Sequence, residues 1–324
     1  MNKKLIRLII IISVIALAMS LVLLVAASFY FYDIAINRNK KDFLKYSEDL
    51  KDNFSEANRA PDDQEMKGAE WVESKPYETW TLTSEDGLKL VGYFLPAAAP
   101  TSRVVILAHG YTSEGKEMGT FAKFYHEVLG YHVLMPDARG HGASEGDYIG
   151  FGWPERKDYL LWIRQVIKAV GQDTEIILHG VSMGGATVMM VSGEQLPKQV
   201  KAIIEDCGYT SVRDELSYQM KRLYHLPSFP ILQATSLLTK LKAGYSFYDA
   251  SALKQVKKNK LPMLFIHGGG DTFVPTEMVY RLFDSCKAPK KLLVIEGAGH
   301  GLSYTVDRVT YEKQVIEFLG SIVF

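Results

Sequence analysis

With 324 residues, 47% of them apolar, the chain can bury a full core as one large domain or two small ones. Its 37 basic residues cancel its 37 acidic ones, so no overall field draws it to nucleic acid. The cysteines, Cys207 and Cys286, stand far apart; that excludes a disulfide framework or a thiolate zinc site and leaves two buried thiols.

The N-terminus departs from this average. From Leu8 to Tyr32 no side chain is charged, and these roughly 25 residues, at about 1.5 Å each, exceed a hydrocarbon core of about 30 Å. Residues 1–32 read as a transmembrane anchor. Val25-Ala26-Ala27 would serve as the cleavage site of a signal peptide, but the run outlasts a signal core and continues through Phe29, Tyr30, Phe31 and Tyr32, which suit a membrane–water interface. Lys3, Lys4 and Arg7 precede the span; Arg38, Lys40, Lys41 and Lys45 follow it. A short basic tail before one apolar span looks like an uncut export signal. The expectation is a single-pass protein of the cell membrane with its main domain on the extracellular face. Residues 33–77 are charged and read as a solvated stalk with one amphipathic helix, spaced by Phe43, Leu44, Tyr46 and Leu50.

From Glu78 to the end at 324, short β-rich runs alternate with helical segments, as in a mainly parallel sheet covered by helices on both faces. Thr79–Thr83 and Leu88–Phe94 predict an opening hairpin, and Val104–Ala108 a buried strand. A helix over 116–129, a strand at Val133–Met135, a helix near 153–170 and a strand at Glu175–Leu178 follow. Then come a helix over 182–194, strands at 200–205, 262–266 and 291–295, and a closing helix over 305–319. Residues 209–255 break the rhythm with many large apolar groups and no buried strand, and predict an inserted helical lid.

Gly180-Val181-Ser182-Met183-Gly184 falls between a predicted strand and a predicted helix. A turn that sharp holds its central residue in strained backbone and lifts the side chain above the sheet, so the residues two positions away must lack bulk. Ser182 is the candidate nucleophile, and a serine needs a base beside it. Among eight histidines, His300 lies in a glycine-rich loop directly after the last predicted strand, where such a base belongs. His109, His179 and His267 end strands and read as loop-shaping. The base needs an acid; Asp271 is favoured, with Asp206 at the preceding strand end as rival. The oxyanion donors would be the backbone N–H groups of Met183 and Tyr111.

Gly180–Gly184, Asp137-Ala138-Arg139-Gly140-His141-Gly142-Ala143-Ser144, His267-Gly268-Gly269-Gly270-Asp271 and Gly299-His300 together resemble the α/β-hydrolase superfamily. They are similar to its monoacylglycerol-lipase-like and serine aminopeptidase-like bacterial carboxylesterases. The resemblance covers about 78–319 and implies an α/β-hydrolase fold with a structural D-x-R-G-x-G-x-S turn. It also implies the catalytic order Ser182, Asp271, His300, although some relatives take their acid at the place of Asp206. Gly269-Gly270 departs from the charged residue often found before the acid. The expected activity is cleavage of apolar acyl or aromatic esters, lipid-derived ones included, through an acyl-enzyme. The rivals are an amidase or aminopeptidase, an acyltransferase, or a non-catalytic membrane-tethered binding module. No H-E-x-x-H and no phosphate loop occur, so no metal or cofactor is expected.

Overall fold

The computed structural model describes residues 3–38 and 64–322. The expected amphipathic helix around Phe43–Leu50 lies outside them. Helix α1 (Lys3–Ala35) is long and apolar enough to cross a membrane. Helix α2 (Gln64–Glu73) then leads into strands β1 (Glu78–Thr83), β2 (Lys89–Leu95) and β3 (Arg103–Ala108), helix α3 (Gly119–Lys123) and β4 (His132–Pro136). Helix α4 (Glu155–Val170), β5 (Glu175–Val181), α5 (Met183–Ser192) and β6 (Val200–Asp206) follow. Helices α6 (Val212–Tyr224), α7 (Ile231–Ala243) and α8 (Ala252–Val256) are inserted before β7 (Met263–Gly268). Helix α9 (Glu277–Ser285), β8 (Lys290–Ile295), α10 (Ser303–Val306) and α11 (Arg308–Gly320) close the chain.

The eight strands form one sheet in the order β1-β2-β4-β3-β5-β6-β7-β8, with β1–β2 and β2–β4 antiparallel and the remaining pairs parallel. Alternation along each central strand feeds two apolar layers, as the two-residue side-chain period requires. Val104, Ile106, Ile176 and Leu178 enter one layer, while Val105, Leu107 and Ile177 enter the other. This is the α/β-hydrolase architecture that the motifs imply. The strand order reverses at β3, which has β4 on one side and β5 on the other. That switch point opens a crevice at the carboxyl ends of β3 and β5.

Several expectations change. The helix expected over 116–129 is a 3₁₀ turn at Gly115–Met118, the short α3 and a wide π turn at Phe124–Val128. Its start is pressed against α2: a Cβ on Gly119 would lie 2.0 Å from the Gly68 carbonyl oxygen. The closing helix is broken at Asp307, whose side chain accepts from Thr310 N and caps α11. The stretch expected as a solvated stalk is, where described, part of the domain. Val72 is fully buried, Trp71 Nε1 donates to Glu127 at 2.8 Å, and Ile36 has no exposure.

The chain just after α1 is sewn to the domain. Ile149 N donates to Ile36 O, Arg38 N donates to Asp147 O, and the Arg38 guanidinium donates to the carbonyls of Gly142 and Ser144. Those carbonyls belong to the turn at Asp137–Ser144. Asp137 braces that turn by accepting from Gly115 N, Ala143 N and Tyr93 Oη, and Arg139 makes a two-bond pair with the equally buried Asp158.

Candidate active site

Ser182 joins β5 to α5 with φ 58° and ψ −117°, a backbone that a non-glycine residue adopts only when its surroundings force it. The neighbours show what forces it. A Cβ on Gly180 would lie 2.1 Å from Gly184 O, and one on Gly184 would lie 1.9 Å from Ala108 O. Only glycine at both places lets the strand, the turn and the helix approach so closely.

The hydroxyl of Ser182 points at His300, with Oγ 2.8 Å from Nε2. On the other side of the imidazole, Nδ1 lies 2.8 Å from Asp271 Oδ2. Burial drives the Asp271 carboxyl up, but the facing His300 and His267 outweigh it and hold its pKa below the ordinary value. Ionised, Asp271 can only accept, so Nδ1 of His300 carries the hydrogen and Nε2 is left to accept from Ser182. The second carboxylate oxygen accepts from the backbone N–H of Phe273 and Val274, each at 2.9 Å. With four contacts shared between its oxygens, Asp271 is held in one orientation despite Gly269 and Gly270 before it.

His267 is one partner that sequence reading assigned only to loop shaping. Its Nε2 lies 3.3 Å from Asp271 Oδ2 and 2.9 Å from Val274 O, so it braces the same carboxylate. The spacing of four residues between His267 and Asp271 was the available signal. His109 does shape a loop: its Nε2 accepts from Ala138 N at 2.9 Å. His179 is fully buried between Tyr125 and Tyr311. The rival acid, Asp206, does not reach the imidazole by a hydrogen bond. It accepts from Tyr311 Oη at 3.1 Å, and burial lifts its pKa to about 6.

Met183 opens α5, so its N–H is one of the first helical donors without a partner inside the helix. Gly110 brings the loop after β3 against the serine, since a Cβ there would be 3.6 Å from Ser182 Cβ. Tyr111, the next residue, lines a cavity with Ser182 and Met183. The cavity is otherwise walled mainly by apolar groups: Phe151, Leu216, Met220, Leu223, Leu232 and Phe273. Phe31, Ile34 and Ala35 of α1 also reach it, which sequence reading missed because it gave the aromatic run to the membrane interface alone. One carboxyl faces the cavity, Glu215, which burial raises to about 8.

Comparison with known proteins agrees with this fold. The family described as serine aminopeptidase, S33, matches residues 99–242, a stretch that contains the Tyr111 loop, the serine turn and α6. The esterase Pf2001 of Pyrococcus furiosus superposes with a TM-score of 0.63 over 78% of this chain and 92% of that one, at 24% identity, a likeness of fold. The uncharacterized membrane protein YNL320W of Saccharomyces cerevisiae is 26% identical over 221 residues, 67% of this chain and 70% of its own. The uncharacterized protein YqkD of Bacillus subtilis is 31% identical over 246 residues, 75% of this chain. Since that match also spans 79% of YqkD, the chain belongs to the serine aminopeptidase S33-like family of α/β hydrolases.

Proposed function

We propose that the protein is a membrane-tethered serine hydrolase that cleaves carboxylic esters with an apolar acyl or aromatic part. The observation that carries this reading is the Ser182–His300–Asp271 chain of 2.8 Å contacts opening onto an apolar cavity. Ser182 Oγ attacks the ester carbonyl while His300 Nε2 takes its proton, and Asp271 stabilises the imidazolium. The N–H groups of Met183 and Tyr111 receive the oxyanion. The C–O bond breaks, the alcohol leaves with the proton from His300, and an acyl-enzyme remains on Ser182. Water, deprotonated by His300, then releases the carboxylic acid. No metal or cofactor enters this sequence.

Helix α1 and the similarity to a yeast membrane protein support the tether. Basic charges flank the span almost equally on both sides, and the pattern of a short basic tail before one apolar span, like an uncut export signal, supports an extracellular domain; protease added to intact cells should then shave the domain. A chain-length series of chromogenic esters, run on the full-length protein, tests the substrate class. Octanoyl esters should exceed acetyl esters in kcat/KM, and the opposite order would refute an acyl cavity.

A second reading has one observation in its favour. Glu215 could receive a substrate amine, as an aminopeptidase requires. Its pKa of about 8 leaves it mostly uncharged at neutral pH, and Gln219 already occupies Oε1 at 2.8 Å; an uncharged carboxyl tolerates an alkyl chain beside it. Faster turnover of a leucine anilide than of an octanoyl ester, abolished in Glu215→Gln, would favour the peptidase.

A further inference from the structure

Helix α1 has 33 residues, which at about 1.5 Å each make about 50 Å, well beyond a hydrocarbon core of about 30 Å. Its C-terminal turns therefore stand clear of the core, and they are docked. Tyr32 is buried, and Phe31 packs edge-on against Tyr224 of α6 with ring centres 5.0 Å apart. Lys242 of α7 sits 4.7 Å over the Tyr32 ring. Tyr111 Oη donates to the carbonyl of Ala35 at 2.6 Å, so the residue proposed to give an oxyanion N–H also grips the end of the anchor. Beyond it, Arg38 fastens the chain to the Gly142 and Ser144 carbonyls.

The docked turns complete the cavity. Phe31, Ile34 and Ala35 share its lining with Ser182. Helix α7, which packs along α1, exposes Leu237 and Leu241 on one face at 61% and 77%, and the preceding loop exposes Phe229 at 70%. Large apolar groups this exposed, next to a helix built for lipid, mark the surface that meets the bilayer. The wall of the cavity and the lipid-facing surface are thus continuous along α1.

Resting on the ester-hydrolase reading, we propose that the last turns of the anchor helix form one wall of the acyl site. The substrate is an ester with a long, unbranched acyl chain that resides in the bilayer and enters along α1. The anchor is then a part of the specificity machinery and not only a tether.

The test uses the full-length protein in phosphatidylcholine vesicles and a dodecyl fluorophosphonate carrying a diazirine at the end of its chain. After the phosphorus has reacted with Ser182, irradiation should join the chain end to the segment Phe31–Ala35. Crosslinks confined to α6 and α7 would overturn the proposal. Absence of any Ser182 adduct would instead overturn the hydrolase reading on which it rests. In a kinetic arm, Ile34→Trp should lower the ratio of dodecanoyl to butanoyl kcat/KM about tenfold, the loss of roughly two buried methylenes. Leu17→Trp, at a position 72% exposed in the span, should leave that ratio as in the wild type. Labelling of Ser182 by a short fluorophosphonate reports that each variant is folded, and an unchanged ratio in a labelled Ile34→Trp would sink the idea.

Discussion

The cavity has two walls of different construction. One is made of strand ends: Tyr111 and Ser182 line it just after β3 and β5, and behind Ser182 stand His300 and Asp271, which follow β8 and β7 within a few residues. The other is made of helices that the sheet does not hold: α6, α7 and the end of α1. Strand ends are fixed by a ladder of backbone bonds, so atoms placed there keep their distances to the precision that proton transfer needs. Helices packed through apolar faces set volume and polarity and can vary without moving the reacting groups. On the proposed function, the difference places chemistry and substrate choice in separate parts of the chain, which should respond separately to substitution.

The largest expected effect lies on the strand-end wall. Ser182→Ala should lower kcat by about a millionfold and abolish fluorophosphonate labelling, the scale seen when a nucleophile of this type is removed. Asp271→Asn comes next, at about 10⁴-fold, because the imidazole would be held in the wrong tautomer. Asp206→Asn should stay within a few-fold of the parent rate, since its carboxyl is engaged with Tyr311 and makes no hydrogen bond to His300. Steady-state kinetics on one soluble ester rank the three variants; the reverse order of the two aspartates would move the acid to Asp206 and redraw that wall.

The two walls also differ in how far they could be read from sequence. The glycines at 180 and 184 announce a steric requirement that the structure then exhibits as contacts of 2.1 and 1.9 Å. The loop at 297–301 announces a residue presented after a strand. Such signals are local, because strained turns write their demands into two or three neighbouring residues. The helical wall has no such grammar. Phe31 and Ile34 look like any apolar residues of a membrane span, and only their contact with Tyr224 and Tyr111, about 190 and 80 residues away, gives them a second role. Ile36 and Val72 sit in a stretch that reads as solvated for the same reason: their partners are remote in the chain. His267 was half legible, its spacing to Asp271 visible but its bond to the carboxylate not.

Asp206 offers a smaller effect that sharpens the contrast within the strand-end wall. Burial puts its pKa at about 6 in the folded protein, against an ordinary value of 3.8. Between those values the folded state binds more protons than the unfolded one, so stability falls as pH rises from about 4 to 6, and the full penalty persists above that. Two units amount to about 3 kcal/mol as an upper figure. Asp206→Asn should therefore melt higher than the parent at pH 8 and at nearly the same temperature at pH 4. Equal midpoints of variant and parent at both pH values would show that burial does not raise the pKa of this carboxyl. The neighbouring Asp271, paired with two histidines, should show the opposite sign: its stabilisation is present at neutral pH and lost only as strong acid protonates it.

The smallest effect concerns the seam between the walls. Arg38 lies just past α1 and outside the cavity, with its guanidinium on the carbonyls of Gly142, Ser144 and Gly146. Because the side chain is exposed, water would replace most of what is lost in Arg38→Ala, leaving a net cost of about 1 kcal/mol. In a protein of this size that corresponds to about 2–4 °C in the thermal midpoint. The consequence for turnover should be selective. The strand-end wall does not touch Arg38, whereas the last turn of α1 shares its hold on the domain between Arg38 and contacts such as the Tyr111 bond to Ala35 and the Ile149 bond to Ile36. Loosening that turn should cost long acyl chains more than short ones, lowering the dodecanoyl-to-butanoyl ratio about two- to threefold. A fall in midpoint without a change in that ratio would place Arg38 in the fold alone and separate the anchor's docking from its contribution to the cavity.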